Sequence, residues 1–293
     1  MNMQKYAAPG LIVGSIVFGM GSVIVATVPV GAYAVAFWRL CIAGIIFSLL
    51  ARRFGQRLPQ SKKGLCCGLV AGAFLGIDLS LWHESVYAVG PGISTLLNSL
   101  QIFFLAAIGF FRFGEKQSRL QLASLFIAIT GVALIGSPEF SRNHNAAWGF
   151  ISGILSGAML AASMVYVRKT HETEPTPLFA LMMLVSLGGM AAALPPALIF
   201  NTDSLFPATP RDIGLVLIYG AVMQCFAWGL IAYAVPLLPL ALTGLLLLSE
   251  PVAALFIDYF FLGKTINGLQ WSGAALTMLA IYLGSLKPKP PKA

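Results

Sequence analysis

Residues 213–249 read IGLVLIYGAVMQCFAWGLIAYAVPLLPLALTGLLLLS, a run without a single Asp, Glu, Lys or Arg. A helix that crosses a membrane needs about 20 apolar residues, so this run can hold nearly two of them. A second uncharged run covers residues 6–38. Bilayer hydrocarbon admits only helices or closed barrels, and the segment LTGLLLL at 242–248 lacks the alternation of a barrel strand. The sequence therefore predicts an all-α membrane protein.

The composition of the whole chain agrees with this class. Of its residues, 58% are hydrophobic and 10% are charged, whereas about 25% are charged in a typical soluble domain. The first apolar run continues directly into a second predicted helix, so we do not expect a cleaved secretory signal. The four cysteines lie in or beside apolar segments without a metal-ligand spacing, and they predict neither a metal site nor a cofactor.

Clusters of Pro and Gly divide the apolar sequence into ten predicted transmembrane helices. Their predicted bounds are 8–27, 31–51, 64–86, 91–112, 118–136, 147–167, 177–200, 212–235, 239–262 and 267–286. Ten helices place both termini on one side of the membrane. That side carries 14 of the 18 Lys and Arg residues and the other side three, while Arg39 lies within the second predicted helix. The positive-inside rule then predicts cytoplasmic termini, and the basic excess is a topology signal with no need for a nucleic-acid partner.

The two halves of the sequence resemble each other. WHESVYAV at 82–89 and WGLIAYAV at 228–235 agree at four of eight positions, with an offset of 146 residues. After the next turn the offset becomes 149, which pairs Phe111 with Phe260. An insertion of three residues in that turn explains the change.

A repeat of five helices enters the membrane in the opposite sense the second time. We therefore predict two inverted five-helix repeats, residues 1–141 and residues 142–293, the second ending in a short basic tail. Inverted repeats are typical of secondary transporters, in which the substrate binds near the midplane between the halves.

Several short motifs accompany this architecture, namely FWRL at 37–40, LSEP at 248–251, and Gly-Glu at 114–115 opposite Gly-Lys at 263–264. With the ten predicted helices in two copies, they make the chain similar to the drug/metabolite transporter superfamily, EamA-type branch, and within it to bacterial amino-acid exporters, including the aromatic type. The resemblance implies a multi-pass protein of the bacterial inner membrane with a cavity formed mainly by helices one, three, four, six, eight and nine. The first predicted helix has no carboxylate, unlike that of the small multidrug-resistance relatives, which exchange protons there.

Four polar residues fall near the middle of predicted helices and form two pairs under the repeat. Asp78 pairs with Gln224 at an offset of 146, and Gln101 pairs with Glu250 at an offset of 149. Polar groups at membrane depth are costly and usually face a cavity or a partner, so these four are candidate substrate-binding residues. The alternative is that they only hydrogen-bond one helix to another.

Further candidates lie on the same predicted helices or in the sixth. The other predicted substrate-binding residues are Trp82, His83, Tyr87, Asn98, Met159, Ser163 and Trp228. For the tryptophans the alternative is an interfacial belt, and for the others it is helix packing. An arginine within a predicted helix must pair or reach the interface, and for Arg39 the family resemblance implies a structural role, with a carboxylate as one candidate partner. Pro251 is predicted to kink the ninth helix.

With the inverted repeats, these residues predict an alternating-access transporter, and the family resemblance implies that it exports amino acids, aromatic ones included, and related metabolites. A multidrug or nucleoside exporter of the same fold, and a passive channel-like facilitator, remain open alternatives. No phosphate-binding loop or Ser–His pair at one depth indicates an enzyme. The expected partners are a small-molecule substrate and the lipid bilayer, and the oligomeric state stays open, with a monomer among the options.

Overall fold

A computed structural model describes residues 6–115, 117–136, 146–260 and 267–285. Within these ranges the chain is helical apart from turns and short connections, and it contains no strand. The helices are α1 (Ala7–Gly19), α2 (Gly21–Thr27), α3 (Ala32–Arg53), α4 (Lys62–Asn98), α5 (Gln101–Phe113), α6 (Arg119–Gly136), α7 (Ala146–Thr173), α8 (Leu178–Phe200), α9 (Pro210–Ile218), α10 (Gly229–Ala234), α11 (Leu240–Leu247), α12 (Ser249–Phe260) and α13 (Gly268–Ser285). A π-helical segment, Tyr219–Trp228, joins α9 to α10.

Six described segments are long and apolar enough to cross a bilayer, namely Ala7–Thr27, Ala32–Arg53, Lys62–Pro91, Ala147–Thr173, Leu178–Phe200 and Pro210–Leu237. Three shorter apolar helices accompany them, at Gln101–Phe113, Arg119–Leu134 and Leu242–Ala253. The predicted all-α membrane class is therefore confirmed. The predicted number of ten crossings stays a prediction, as does the predicted loop at 137–146, of which only Ala146 is described.

Three predicted helices are interrupted. The first breaks at Met20 between α1 and α2, the fourth at residues 99–100 between α4 and α5, and the ninth at Leu248 between α11 and α12. The predicted break near residue 90 is present as a bend within α4, where Gly90 takes a φ of 84° before Pro91. A proline ring has no N–H to continue the helix, and glycine supplies the positive φ that turns the chain.

Glycines bring the long helices into close contact. A Cβ on Gly72 of α4 would lie 2.1 Å from the carbonyl oxygen of Val185 in α8, and one on Gly188 would lie 2.1 Å from that of Leu69. On the other side of α4, a Cβ on Gly157 of α7 would lie 2.7 Å from the carbonyl oxygen of Asn98. Small residues are how membrane helices approach backbone to backbone. As a result α4 is held between α7 and α8, with its polar residues inside the bundle.

Candidate functional site

Arg39 of α3 is completely buried. Its Nε donates a hydrogen bond to Oε1 of Gln224 over 2.7 Å, and its Nη1 donates one to the hydroxyl of Tyr219 over 2.5 Å. The guanidinium lies 4.5 Å from the ring centre of Phe18 and 4.3 Å from that of Tyr219, which are cation–π distances. No carboxylate in the described ranges forms an ion pair with it. Arg39 thus links α3 to the π-helical segment through neutral partners, and the carboxylate partner considered for it is absent from this arrangement.

His83 of α4 continues the same network. Its Nδ1 lies 2.8 Å from the carbonyl oxygen of Ala32, and its Nε2 lies 2.9 Å from the hydroxyl of Tyr219. A carbonyl only accepts, so Nδ1 must donate, and in the neutral ring Nε2 must accept from Tyr219. The hydroxyl of Tyr219 therefore accepts from Arg39 and donates to His83, which gives the chain of hydrogen bonds one direction.

Asp78 and Asn98, both on α4, form a second buried network. Oδ1 of Asp78 accepts from Nδ2 of Asn98 over 3.0 Å, and the same nitrogen donates to Oγ of Ser156 on α7 over 3.0 Å. Asp78 is 2% exposed, and its carboxyl group lies within electrostatic range of Arg39. The bond across to α7 is possible because Gly157 lets that helix approach.

Glu250 approaches the same region from α12. It is 6% exposed, and a Cβ on Gly19 would lie 2.8 Å from its Cγ, so the absence of a side chain at Gly19, the last residue of α1, makes room for it. Its carboxyl group is within electrostatic range of Arg39, and no hydrogen bond to it occurs among the described residues. Pro251 follows in the first turn of α12, where a missing N–H costs no intrahelical bond. The expected kink is therefore a full interruption at Leu248, before the proline.

Three of the other predicted site residues are buried in the structure. Trp82 is buried against His83, with 5.5 Å between ring centres, and Trp228 is buried against Phe18, with 5.8 Å. Gln101 is 2% exposed, and its Oε1 has no partner in the described chain.

Three predicted residues lie outside these networks. Tyr87 is 46% exposed and donates its hydroxyl to the carbonyl oxygen of Val30 over 2.7 Å. Ser163 donates to the carbonyl oxygen of Ala71 over 2.8 Å, and Met159 is half-buried on the same helix. Tyr87 thus bonds to the connection between α2 and α3, and Ser163 bonds to the backbone of α4.

Sequence reasoning missed Tyr219, which is the centre of the first network, and Phe18 and Ser156. Tyr219 precedes Gln224 by five residues, a spacing that an α-helix spreads over two faces. A π-helix bonds i to i+5 and brings both onto the same side. The run 219–228 carries no proline or charge to announce this change, so only the structure reveals it.

Comparison with known proteins assigns the chain to a family. Residues 6–137 and 147–286 match the model of the EamA-like transporter family. The chain belongs to the EamA-like transporter family. The family resemblance of the sequence is thereby confirmed, and the protein is a multi-pass membrane transporter.

The named relatives of this EamA-like protein have low sequence identity to it, but the similarity extends over most of each chain. A protein of Salmonella typhimurium named "probable amino-acid metabolite efflux pump" is 28% identical over 83% of this chain and 84% of its own. One of the same name from Escherichia coli is 26% identical over the same shares. A "probable terminal-alkyne amino-acid exporter" of Streptantibioticus cattleyicolor is 24% identical over 86% and 84%. A solved crystal structure, 14% identical, superposes with a TM-score of 0.77 over 96% of each chain, which shows a shared fold.

Proposed function

We propose that this EamA-like protein exports amino acids, including aromatic ones, and related metabolites by alternating access across the bacterial inner membrane. The observation that carries the proposal is the buried polar network in which Arg39 and His83, from the first half of the chain, meet Tyr219 and Gln224 from the second. Polar groups at membrane depth mark substrate pathways. The names of three relatives, two amino-acid metabolite efflux pumps and one amino-acid exporter, support this substrate class.

The proposal includes ten crossings in two inverted repeats, residues 1–141 and 142–293, with cytoplasmic termini. One structural feature supports the repeat. One helix is interrupted at residues 99–100, just before Gln101, and another at Leu248, two residues before Glu250, and the offset of 149 residues pairs Ser99 with Leu248. Interrupted helices at the substrate site are a feature of inverted-repeat transporters.

Within this scheme the substrate site lies between the halves. Asp78, Asn98, Gln101, Gln224 and Glu250 supply polar groups, and Trp82, His83 and Trp228 supply rings. The burial of all eight supports their assignment. Three further residues are proposed to lie at the edge of this site, namely Tyr87, Met159 and Ser163. A change of conformation would bring them toward the substrate.

Counterflow in proteoliposomes tests the function. Liposomes loaded with unlabelled phenylalanine or leucine are expected to accumulate the labelled amino acid transiently, and Asn98→Ala is expected to reduce the rate at least about tenfold, because Asp78 loses its hydrogen bond. A channel shows no such trans-stimulation, so leak without counterflow contradicts the proposal. A panel of nucleosides and cationic drugs tests the multidrug alternative, and labelling of single cysteines at the two termini tests their orientation.

A further inference from the structure

Four buried polar atoms on α1, α3 and the π-helical segment lack a hydrogen-bond partner in the described chain. They are Nη2 of Arg39, Nε2 of Gln224, Nε1 of Trp228 and Oγ of Ser15. Each of the four residues is at most 1% exposed. Unpaired donors of this kind are costly inside a membrane, where water cannot replace the missing acceptor.

These atoms belong to one neighbourhood. Gln224 bonds directly to Arg39, and the guanidinium of Arg39 and the ring of Trp228 both lie against Phe18, at 4.5 and 5.8 Å. Ser15 precedes Phe18 by one helical turn. We call Arg39, Gln224, Trp228 and Ser15 the donor cluster.

The unpaired nitrogen atoms of the donor cluster can donate hydrogen bonds but cannot accept them. An arginine only donates, so Gln224 must turn its oxygen to Arg39, and its NH₂ group is left as the free end. The indole of Trp228 also only donates. Three N–H donor groups thus lack an acceptor, and one of them belongs to the permanently charged guanidinium of Arg39. The hydroxyl of Ser15 can donate as well.

The backbone around the donor cluster is irregular on both sides. α1 ends at Gly19 and α2 begins at Gly21, while residues 219–228 form the π-helical segment. The two irregular segments touch, since a Cβ on Gly21 would lie 2.7 Å from the ring of Tyr219. Irregular helices at membrane depth are found where they line a pathway, and π-helical turns are frequent at functional sites.

We propose that Arg39, Gln224 and Trp228 form the anchor for the carboxylate group of the transported substrate. The inference rests on the proposed function for the identity of the substrate, and it gives Arg39 a binding role beyond the structural one that its sequence position predicts. A carboxylate only accepts hydrogen bonds, through two oxygens with about four lone-pair positions, and so complements the three unpaired nitrogen groups, which only donate. Its single negative charge balances the single positive charge of Arg39.

The surroundings favour a zwitterion over a more highly charged anion. Arg39 is the charged member of the donor cluster and carries a single positive charge, so a dianionic phosphate would bring a second, uncompensated negative charge into this buried place. The carboxyl groups of Asp78 and Glu250 lie within electrostatic range of Arg39. They also offer acceptors to the ammonium end of an amino acid. Neither occupies the donor cluster itself, because Asp78 is bonded to Asn98, and Arg39 has no ion pair in the described ranges.

Matched ligand pairs test the anchor. The full-length protein in detergent is titrated with L-phenylalanine, L-phenylalaninamide and 3-phenylpropionate, and with leucine and leucinamide, while its thermal stability and tryptophan fluorescence are followed. The wild-type protein is expected to bind L-phenylalanine and leucine each about 10- to 100-fold more tightly than the matching amide, the range for losing hydrogen bonds to a charged group.

Two variants separate binding from structure. Arg39→Gln is expected to abolish the preference for the carboxylate. Gln224→Glu keeps an acceptor for Arg39 but supplies a built-in carboxylate that competes with the ligand, so the preference is expected to fall at least about tenfold while the protein stays folded. If Arg39 were only structural, Gln224→Glu would strengthen its bond and leave the ligand preference unchanged. Arg53→Gln, at the exposed end of α3, is the control that should keep the wild-type preference.

The outcomes distinguish this inference from the proposed function. Equal binding of acid and amide by the wild-type protein, no binding of any carboxylate, or an unchanged preference in Gln224→Glu overturns the anchor. Selective binding of 3-phenylpropionate together with no counterflow of any amino acid supports the anchor and refutes amino-acid export.

Discussion

Glu115 accepts a hydrogen bond from the backbone N–H of Leu240, with 3.1 Å between Oε2 and the nitrogen. Leu240 begins α11, so the carboxylate lies at the positive end of that helix. The same carboxylate forms an ion pair with Arg168 of α7, whose guanidinium lies 4.4 Å from the ring centre of Phe113. The turn that carries Glu115 depends on Gly114, which has a φ of 63°. One glutamate thereby joins the end of α5 to two helices that follow much later in the chain.

This relationship predicts a stability loss for Glu115→Gln. We expect the free energy of unfolding in detergent to fall by about 1–2 kcal/mol, since both a partly buried helix-end charge and a charge-assisted hydrogen bond are lost. Glu172→Gln is the matched control, because Glu172 bonds the same Arg168 at 2.9 Å but its side chain is 47% exposed. The control should lose less than about 0.5 kcal/mol. Equal losses would show that the bond to Leu240 contributes nothing.

Tyr219→Phe should be among the more damaging single-atom deletions in this protein. The hydroxyl lies between Arg39 and His83, so its loss leaves one buried group on each without a partner. We expect a loss of about 2–6 kcal/mol, at about 1–3 kcal/mol for each of the two unsatisfied groups. Tyr87→Phe removes a hydroxyl that bonds one carbonyl oxygen from a half-exposed ring, and should lose about 1 kcal/mol. Denaturant titration of both variants measures the two losses of unfolding free energy. A larger loss for Tyr87→Phe than for Tyr219→Phe would contradict the network.

Much of the fold follows from elementary patterns in the sequence. The predicted helices at 31–51 and 177–200 agree within two residues with Ala32–Arg53 and Leu178–Phe200, because long apolar runs bounded by Pro, Gly or basic residues leave little choice. The burial of Asp78 and Glu250 agrees with the expectation that polar groups in such runs avoid lipid.

The geometry of the site is harder to predict from the sequence than the fold is. Helical spacing puts Gln224 and Trp228 on one face, but only the π-helical segment adds Tyr219 to that face. Tyr87 shares a helix face with His83, yet a position one turn nearer the end of the bundle leaves it half exposed. The partners of Arg39 lie 180 and 185 residues away, and they depend on how helices pack rather than on any local pattern.

Alanine is expected to have opposite effects on stability at two glycines, one in the contact between α4 and α8 and one in open space. Gly72→Ala should destabilise the protein by about 1–3 kcal/mol, because the new methyl group would lie 2.1 Å from the carbonyl oxygen of Val185 and the helices must separate. Gly214→Ala in α9 meets nothing within 4 Å and should stabilise by up to about 1 kcal/mol through helix propensity. Thermal melting in one detergent gives both signs. Tolerance of Gly72→Ala would mean that α4 and α8 are farther apart than described.

Glu174 makes the stability of the N-terminus of α4 depend on pH. Its two carboxylate oxygens accept the backbone N–H groups of Gln60 and Ser61, each over 3.0 Å, and these bonds lower the pKa of Glu174 below its ordinary value of 4.5. A carboxyl group whose pKa is lower when folded stabilises the protein above its unfolded pKa. That contribution is lost as the pH falls through the folded pKa. The melting-temperature advantage of wild type over Glu174→Gln should therefore be full at pH 7 and should shrink as the pH falls below about 4, near the unfolded value.

Hydrogen exchange localises this effect to the two amides. At pH 7, Glu174→Gln should accelerate exchange at Gln60 and Ser61, since an amide oxygen accepts less strongly than a carboxylate and only one is available. Glu172→Gln, two residues away, removes a carboxylate that bonds Arg168 and should leave those amides as protected as in wild type. An advantage for wild type that grows as the pH falls would reverse the sign of the linkage, and would mean that the protonated form of Glu174 is the one that holds the N-terminus of α4.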